Sequence, residues 1–275
     1  MSEKDFAEIQ GGIKMRIQHN IMALNAHRNS GVNQTSVSKN MEKLSSGYRI
    51  NRAGDDAAGL SISEKMRSQI RGLDQATRNA QDGISYIQTA EGALTEVSSM
   101  LSRAKELTVQ KANGTYSTDD TANINKELDE LGKEIKSIID NTNFKGKNVI
   151  TSSVDIAISH DAGVKLNIAV ATDVVAKLST ASLSNTSTVA NVEEMITTVN
   201  TQRAVYGSQQ NRLEHTINNL GTTSENLVAA ESRIRDVDMA KEMMEMTKNN
   251  ILSQAAQAMI AQANQQPQSV LQLLR

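Results

Sequence analysis

Apolar side chains recur at alternating spacings of three and four residues along the segment from 57 to 112. The seam comprises Leu73, Ala76, Ala80, Gly83, Ile87, Ala90, Leu94, Val97, Leu101, Ala104 and Thr108. This spacing is typical of a coiled-coil seam carried on one helix. At 1.5 Å of rise per residue, such a helix would be about 80 Å long. The pattern therefore predicts a helical rod rather than a small globule.

Two further seams predict two further helices. The second is formed by Ile124, Leu128, Leu131, Ile135 and Ile138, and it follows the turn-like residues 113–120. A shorter helix antiparallel to the first would satisfy this order. The third seam comprises Val192, Ile196, Val199, Arg203, Tyr206, Gln210, Leu213, Ile217, Leu220, Ser224, Leu227, Glu231 and Ile234. Its polar members weaken a dry interface, so we expect them either to fix the register or to meet other subunits.

Capping signals mark the ends of the longest helix. The pattern Ser61-x-x-Glu64 indicates a capping box near its start, and Asn113-Gly114 indicates its end. The turn Gly54-Asp55-Asp56-Ala57 offers two carboxylates, which could form an acid–base pair or cap the following helix. We favour the cap, because acidic groups are stabilised at a helix N-terminus.

Three glycines lie inside the predicted rod helix, at Gly72, Gly83 and Gly92. Each costs up to about 1 kcal/mol relative to alanine in a helix. They indicate either close packing of a neighbour, which we favour, or a helix weakened to tolerate alternative packings.

The pattern changes between residues 151 and 188. Residues 154–159 and 164–170 alternate apolar and polar side chains, and the turn residues 160–163 separate them. This order predicts a β-hairpin. The segment 179–188 is rich in Ser and Thr and predicts an exposed loop.

The two ends of the chain carry only thin apolar stripes. The first comprises Ile17, Ile21, Leu24, Val37, Met41 and Leu44; the second comprises Met239, Met243, Met246, Ala255, Ala258 and Met259. Neither helix would bury enough area alone to offset its ordering entropy. We therefore predict a mainly α fold of long, coiled-coil-like antiparallel helices with one small β-hairpin region, whose terminal helices are disordered until they pair on assembly.

Composition argues against a conventional enzyme fold. Only 38% of the residues are hydrophobic and 2% aromatic, whereas a compact domain draws roughly 45–50% from the apolar set. The absence of cysteine excludes disulfides, thiolate metal ligands and a cysteine nucleophile. The four histidines, at 19, 27, 160 and 215, are not spaced for a shared metal ion. Gly54 and Gly59 lack the lysine of a phosphate-binding loop. We expect no catalytic site, no metal and no cofactor.

Charge and hydropathy also limit the partners. The net charge of -2 and the scattered basic residues give no electrostatic reason to expect nucleic acid or an anionic membrane as a partner. No run of about 18 apolar residues is present to insert into a membrane, and the N-terminus lacks a signal-peptide core. If the protein leaves the cell, we expect a route without a cleaved signal peptide.

Two long stretches resemble bacterial flagellin. They are LSSGYRINRAGDDAAGLSISEKMRSQIRGLDQATRNAQDGISYIQTAEGAL at 44–94 and NRLEHTINNLGTTSENLVAAESRIRDVDMAKEM at 211–243, followed by the ending NNILSQAAQAMIAQANQQPQSVLQLLR. The resemblance covers about 15–150 and 188–275. It implies a structural protein that polymerises into the extracellular flagellar filament for motility and is exported unfolded. The segment 151–187 leaves no room for a separate outer domain, so a short form is expected.

The resemblance also implies an organisation of the chain. Residues 15–56 and 236–275 would form the inner-layer terminal helices, with 15–56 including a connector. Residues 57–150 and 188–235 would form the helical rod, and 151–187 the hairpin and Ser/Thr-rich loop. The implied partners are further copies of the chain, an export chaperone, and the filament cap and hook–filament junction proteins. Met239, Met243, Met244 and Met246 would serve either as a chaperone-binding face, as simple packing, or as both.

Residues 1–14 depart from the family pattern, which begins at Met15 here. Gln10-Gly11-Gly12 can be encoded by a purine-rich ribosome-binding sequence upstream of Met15. We expect a start codon placed too early; a genuine extension is the alternative.

Two sets of functional residues follow from the resemblance. The segment 101–109 resembles the part of flagellin that Toll-like receptor 5 contacts, which implies receptor recognition by Arg103, Glu106, Leu107 and Glu127. Serines and Ala104 replace bulkier side chains there, so weaker recognition is expected, and a helix face used in filament packing is the alternative. Filament assembly is expected to pair Ile17, Ile21 and Leu24 with Val270, Leu271, Leu273 and Leu274.

Two other functions are weighed against a filament subunit. One is a hook–filament junction protein of the same family, which the extent of the C-terminal resemblance disfavours. The other is a coiled-coil signalling adaptor, which is disfavoured because ends distant in sequence must pair.

Overall fold

The computed structural model describes residues 20–161, 163–169 and 188–273, with side chains to residue 266. These residues form five helices and two small antiparallel sheets. The helices are α1 (Ile21–Ser46), α2 (Ala57–Lys111), α3 (Thr118–Asn141), α4 (Val189–Arg235) and α5 (Met239–Leu273). The strands are β1 (Asn143–Phe144), β2 (Lys147–Asn148), β3 (Val154–Ala157) and β4 (Lys165–Ile168). The prediction of a mainly α fold is confirmed.

The chain divides into two compact units. One contains the described residues up to Glu64 together with those from Glu231 onwards, and the other contains Lys65–Ala230. The predicted segment 1–14 and most of the Ser/Thr-rich loop lie outside the described residues.

The core of the Lys65–Ala230 unit is built on the α2 seam. Every member of the predicted seam from Leu73 to Thr108 is buried. It packs with Ile124, Leu128 and Ile135 of α3 and with the apolar face of α4. The apolar side chains leave water together along this seam, which is the main stabilising contribution to the rod.

The buried face of α4 differs from the predicted one at its polar positions. Buried residues recur seven apart at Val192, Val199, Tyr206, Leu213 and Leu220, a strict heptad. The polar residues that accompany this row inside the core are Gln202 and Gln209. The prediction of Arg203 and Gln210 as the polar members is therefore wrong. A heptad with its first position at residue 199 places its fourth at residue 202.

The predicted hairpin is confirmed as β3 and β4, paired antiparallel with Ile156 opposite Leu166. Both side chains of this pair face the core. Close packing of helix α2 explains two of its glycines: a Cβ at Gly83 would clash with Ile156, and one at Gly72 would lie 2.8 Å from the Cβ of His160. Gly92 has no neighbour within 4 Å, so packing does not explain it.

The start of α2 is capped by Asp56, whose Oδ1 accepts a hydrogen bond from Gly59 N at 2.8 Å. The N-cap interpretation of this turn is confirmed. Asp55 accepts hydrogen bonds from the main-chain N–H groups of Arg52 and Asn51, which lower the pKa of its carboxyl. The predicted capping box at Ser61 is wrong, because Ser61 lies inside the helix and Asp56 already provides the cap.

Candidate assembly and recognition surfaces

The first candidate surface is the pair of terminal helices. Helices α1 and α5 pack against each other within one chain. At one end, Asn20 Nδ2 donates a hydrogen bond to Ala263 O at 2.6 Å, and Asn20 Oδ1 caps α1 by accepting from Ala23 N at 3.1 Å. At the other end, Lys43 Nζ lies 3.6 Å from Glu242 Oε1. The terminal helices that the sequence expected to pair are thus brought together.

The predicted assembly residues are only partly within the described chain. Ile21 and Leu24 are exposed, at 61% and 67%. Ile17 and Leu274 lie outside the described residues, and the side chains of Val270, Leu271 and Leu273 are not described. The pairing of Ile21 and Leu24 with the C-terminal leucines stays a prediction.

The paired helices keep much apolar surface in contact with water. The exposed large apolar side chains are Ile21, Met22, Leu24, Val32 and Met41 on α1, and Met239, Met243, Met244, Ile251, Leu252 and Met259 on α5. A groove of about 380 Å³ between the two helices is lined by Met22, Ala26, Met259 and other small or amide side chains. Apolar surface of this extent on a helix pair indicates a further protein partner.

Three polar side chains buried in this helix pair, those of Asn40, Glu242 and Ser253, were not among the predicted residues. Asn40 and Glu242 are 6% and 7% exposed. The available signal was their spacing: Asn40 follows Val37 by three residues, and Glu242 follows Met239 by three. Each polar residue therefore lies at helical spacing on a predicted apolar stripe.

A set of contacts joins the connector before α2 to the end of α4. It is formed by Tyr48, Arg49, Glu64 and Arg235. The Arg235 guanidinium lies 4.8 Å from the centre of the Tyr48 ring, and its Nη1 donates to Glu64 Oε1 at 2.7 Å. Arg49 N donates to Arg235 O at 2.7 Å. The ion pair, the cation–π contact and the main-chain hydrogen bond therefore hold the connector and the start of α2 to the end of α4, which is far away in sequence.

The second candidate surface lies on α2 and α3 in the Lys65–Ala230 unit. Arg103 donates from Nε to Glu127 Oε1 and from Nη1 to Glu106 Oε2, both at 3.1 Å. These carboxylates, Glu106 first and then Glu127, raise the pKa of Arg103. Three of the four predicted receptor residues thus form one exposed ion cluster. Leu107 is 2% exposed and lies in the core beneath it.

A cleft of about 400 Å³ lies between α2 and the two sheets. Lys145 Nζ is 2.7 Å from Asp82 Oδ2, and Tyr86 OH donates towards the carbonyls of Asn148 and Ser152. Its polar groups therefore serve the packing of the hairpins. Among the described residues, no group of three or more His, Cys, Asp or Glu is placed to hold a metal ion. None of the described helices is both long and apolar enough to cross a membrane.

Comparison with known proteins gives consistent similarities at both ends of the chain. The bacterial flagellin N-terminal helical region matches residues 17–155, and the bacterial flagellin C-terminal helical region matches residues 189–274. A flagellin from Halalkalibacterium halodurans is 55% identical, and one from Bacillus subtilis is 50% identical. The "Flagellar filament 33 kDa core protein" of Treponema phagedenis is 46% identical. Each alignment covers 95% of this chain and 100% of the relative.

Proposed function

Because this chain belongs to the bacterial flagellin family and is a structural subunit of the flagellar filament, we propose that it polymerises through its paired terminal helices. The filament is extracellular and serves motility. The observation that carries this proposal is the match at both chain ends to flagellins that this chain covers over their whole length. We also infer that the chain has no catalytic role, since the family is structural.

The terminal helices support assembly because their pairing leaves apolar side chains uncovered. Leu24 and Met259 remain 67% and 57% exposed. Each such side chain is stabilised by roughly 1.5–3 kcal/mol when it is buried fully. A neighbouring subunit that covers these helices would therefore gain a large free energy of association.

Seeded polymerisation tests this proposal. Purified protein is incubated with short filament fragments or precipitating salt and examined by electron microscopy. We expect long tubes that lengthen with added protein. A junction protein or a coiled-coil adaptor would give no elongation, and that outcome would contradict the proposal.

We further propose that the subunit is exported unfolded and that α5 binds the export chaperone beforehand. The supporting observation is the exposed face formed by Met243, Met244 and Ile251. Methionine side chains adapt to different partners, so the same face can later pack in the filament beside cap and junction proteins. Met243→Ser with Met244→Ser should weaken chaperone binding at least tenfold in calorimetry, whereas Met41→Ser on α1 should not.

Recognition by Toll-like receptor 5 is proposed for the ion cluster of Arg103, Glu106 and Glu127. The Arg103 side chain is 53% exposed, and its two carboxylate partners hold the guanidinium in one orientation. Arg103 would then exchange one carboxylate for a receptor group, while buried Leu107 supports the helix beneath it.

The test of receptor recognition is binding of purified monomer to the receptor ectodomain. Arg103→Ala should weaken binding by tenfold or more, and Lys133→Ala, which removes the exposed ion pair with Glu130, is the matched control. Unchanged receptor binding with altered filament growth would instead assign this face to filament packing.

A further inference from the structure

A buried polar cluster lies between α1 and α5. The Asn40 amide is assigned from its surroundings: with its nitrogen placed 3.1 Å from Glu242 Oε1 and 3.0 Å from Ser36 O, it donates to both. Its oxygen accepts from Asn249 Nδ2 and Met246 N, both at 3.2 Å. The opposite amide orientation would set oxygen against acceptors and nitrogen against donors, so the surroundings fix this one.

The polar groups of this cluster all have hydrogen-bond or ion-pair partners only in the observed alignment of the two helices. Glu242 lies in the first turn of α5, where the helix dipole favours its charge, and Lys43 and Asn40 provide its remaining partners. A shift of one helix by a heptad displaces these groups by about 10 Å. Asn40 and Glu242 would then each face side chains that cannot pair with them, and buried unpaired polar groups are costly.

Apolar packing gives little preference for one alignment. Among the described side chains of α1 and α5, the buried apolar ones are Val37 and Ala263. The α5 segment 254–263 reads QAAQAMIAQA, so a shift of seven residues puts Ala263 in the place of Ala256 and glutamines in the places of Ala255 and Ala258. A small, repetitive interface of this kind is compatible with several registers.

We propose that Asn40 and Glu242 are the specificity-determining residues that select the register of the terminal helix pair. In the filament, Asn40 and Glu242 would thereby fix which residues of α1 and α5 each subunit presents to its neighbours. This role rests on the function proposed above. A buried asparagine that specifies register at a cost in stability is a known device in coiled coils.

The absence of cysteine allows a direct measurement of register. Spin labels are attached to the full chain at Asn25→Cys on α1 and Glu245→Cys on α5, and the labelled chain is diluted into unlabelled subunits during filament growth. Since the labels are offset along the helix axis, a change of register changes their separation. With the natural cluster we expect one narrow distance distribution.

The decisive variant is Asn40→Leu with Glu242→Leu, which makes the cluster apolar. We expect two or more distances, displaced by up to about 10 Å for a heptad shift, with unchanged helical content by circular dichroism. Val37→Ala is the matched control, since it weakens packing near Asn40 without removing the cluster, and it should keep one distance. A single natural distance in the leucine variant would overturn the proposal.

The exchange Asn40→Glu with Glu242→Asn keeps the test decisive if the leucine variant does not enter filaments. It restores an amide–carboxylate pair in the natural register and should return the single distance, whereas Asn40→Glu alone should not. Equal distributions for these two variants would overturn the proposal. Failure of the natural chain to elongate seeds would instead contradict filament formation, and electron microscopy detects that separately.

Discussion

Tyr206 is fully buried in the Lys65–Ala230 unit, and its hydroxyl donates to Val149 O at 3.2 Å. This hydrogen bond ties α4 to the segment that follows β2. Tyr206→Phe keeps the ring but leaves the buried carbonyl without this donor, which should destabilise the fold by about 1–3 kcal/mol. Thermal unfolding measures the loss. Tyr116→Phe, at an exposed tyrosine, is the control and should shift the melting temperature little.

Stability should also fall at alkaline pH because of this residue. Burial raises the pKa of Tyr206 to about 12, whereas a tyrosine in the unfolded chain titrates near about 10. The folded state thus retains a proton that the unfolded state releases. This contribution is complete below about pH 10 and is lost as pH rises to about 12, by roughly 2–3 kcal/mol. Between those pH values, denaturant melts of Tyr206→Phe should decline less steeply than those of the natural chain. Equal slopes would contradict this.

At the scale of elements, two glycines of α2 should respond oppositely to the same substitution. A Cβ at Gly83 would clash with Ile156 Cδ1 and lie 3.3 Å from Leu213 Cδ1, so these two side chains would have to shift within a packed core. Gly92 is exposed with open space around it. Gly92→Ala should stabilise by about 0.5–1 kcal/mol, whereas Gly83→Ala should destabilise by about 1–3 kcal/mol. A melting temperature that rises for Gly83→Ala as well would show that packing at Gly83 is not tight.

At the scale of the whole molecule, the two units should differ in resistance to protease. The Lys65–Ala230 unit has the long buried seam, whereas α1 and α5 bury few apolar side chains among those described. Dilute monomer should therefore lose its ends to limited proteolysis and leave a core of about residues 57–235, because sites that open locally are cleaved first. Mass spectrometry of the fragments identifies the boundaries. Equal protection of α1 in dilute monomer would contradict the expectation.

Filament growth should depend on the last residues of the chain. Removal of 270–275 deletes Val270, Leu271, Leu273 and Leu274, whose apolar burial we expect to contribute several kcal/mol. Seeded elongation should stop, while the circular dichroism signal of the 57–235 core stays nearly unchanged. Replacement of the nearby polar residues Gln265 and Gln266 by Ala is the control. Normal filaments from the truncated chain would show that these residues do not hold the assembly together.

Sequence periodicity determined the long helices and much of their buried face. The α2 seam, the α3 seam, the hairpin and the Asp56 cap all follow from patterns within a few residues of one another. Helix and strand periods repeat over such short distances, so a single sequence records them. The candidate receptor residues came from resemblance, and their clustering needed α2 and α3 to be placed side by side.

Only the tertiary structure decided which polar side chains are buried and which groups they form hydrogen bonds or ion pairs with. The pairs Asn40 with Glu242 and Arg235 with Glu64 join residues more than 150 positions apart, and no local pattern encodes their contact. The same holds for Gln202 and Gln209, which are the buried polar residues of α4. Local spacing alone predicted Arg203 and Gln210 instead, one residue further along the chain. A polar side chain becomes buried only when another element covers it and supplies a partner. That condition depends on the arrangement of helices in space, whereas apolar periodicity depends on one helix alone.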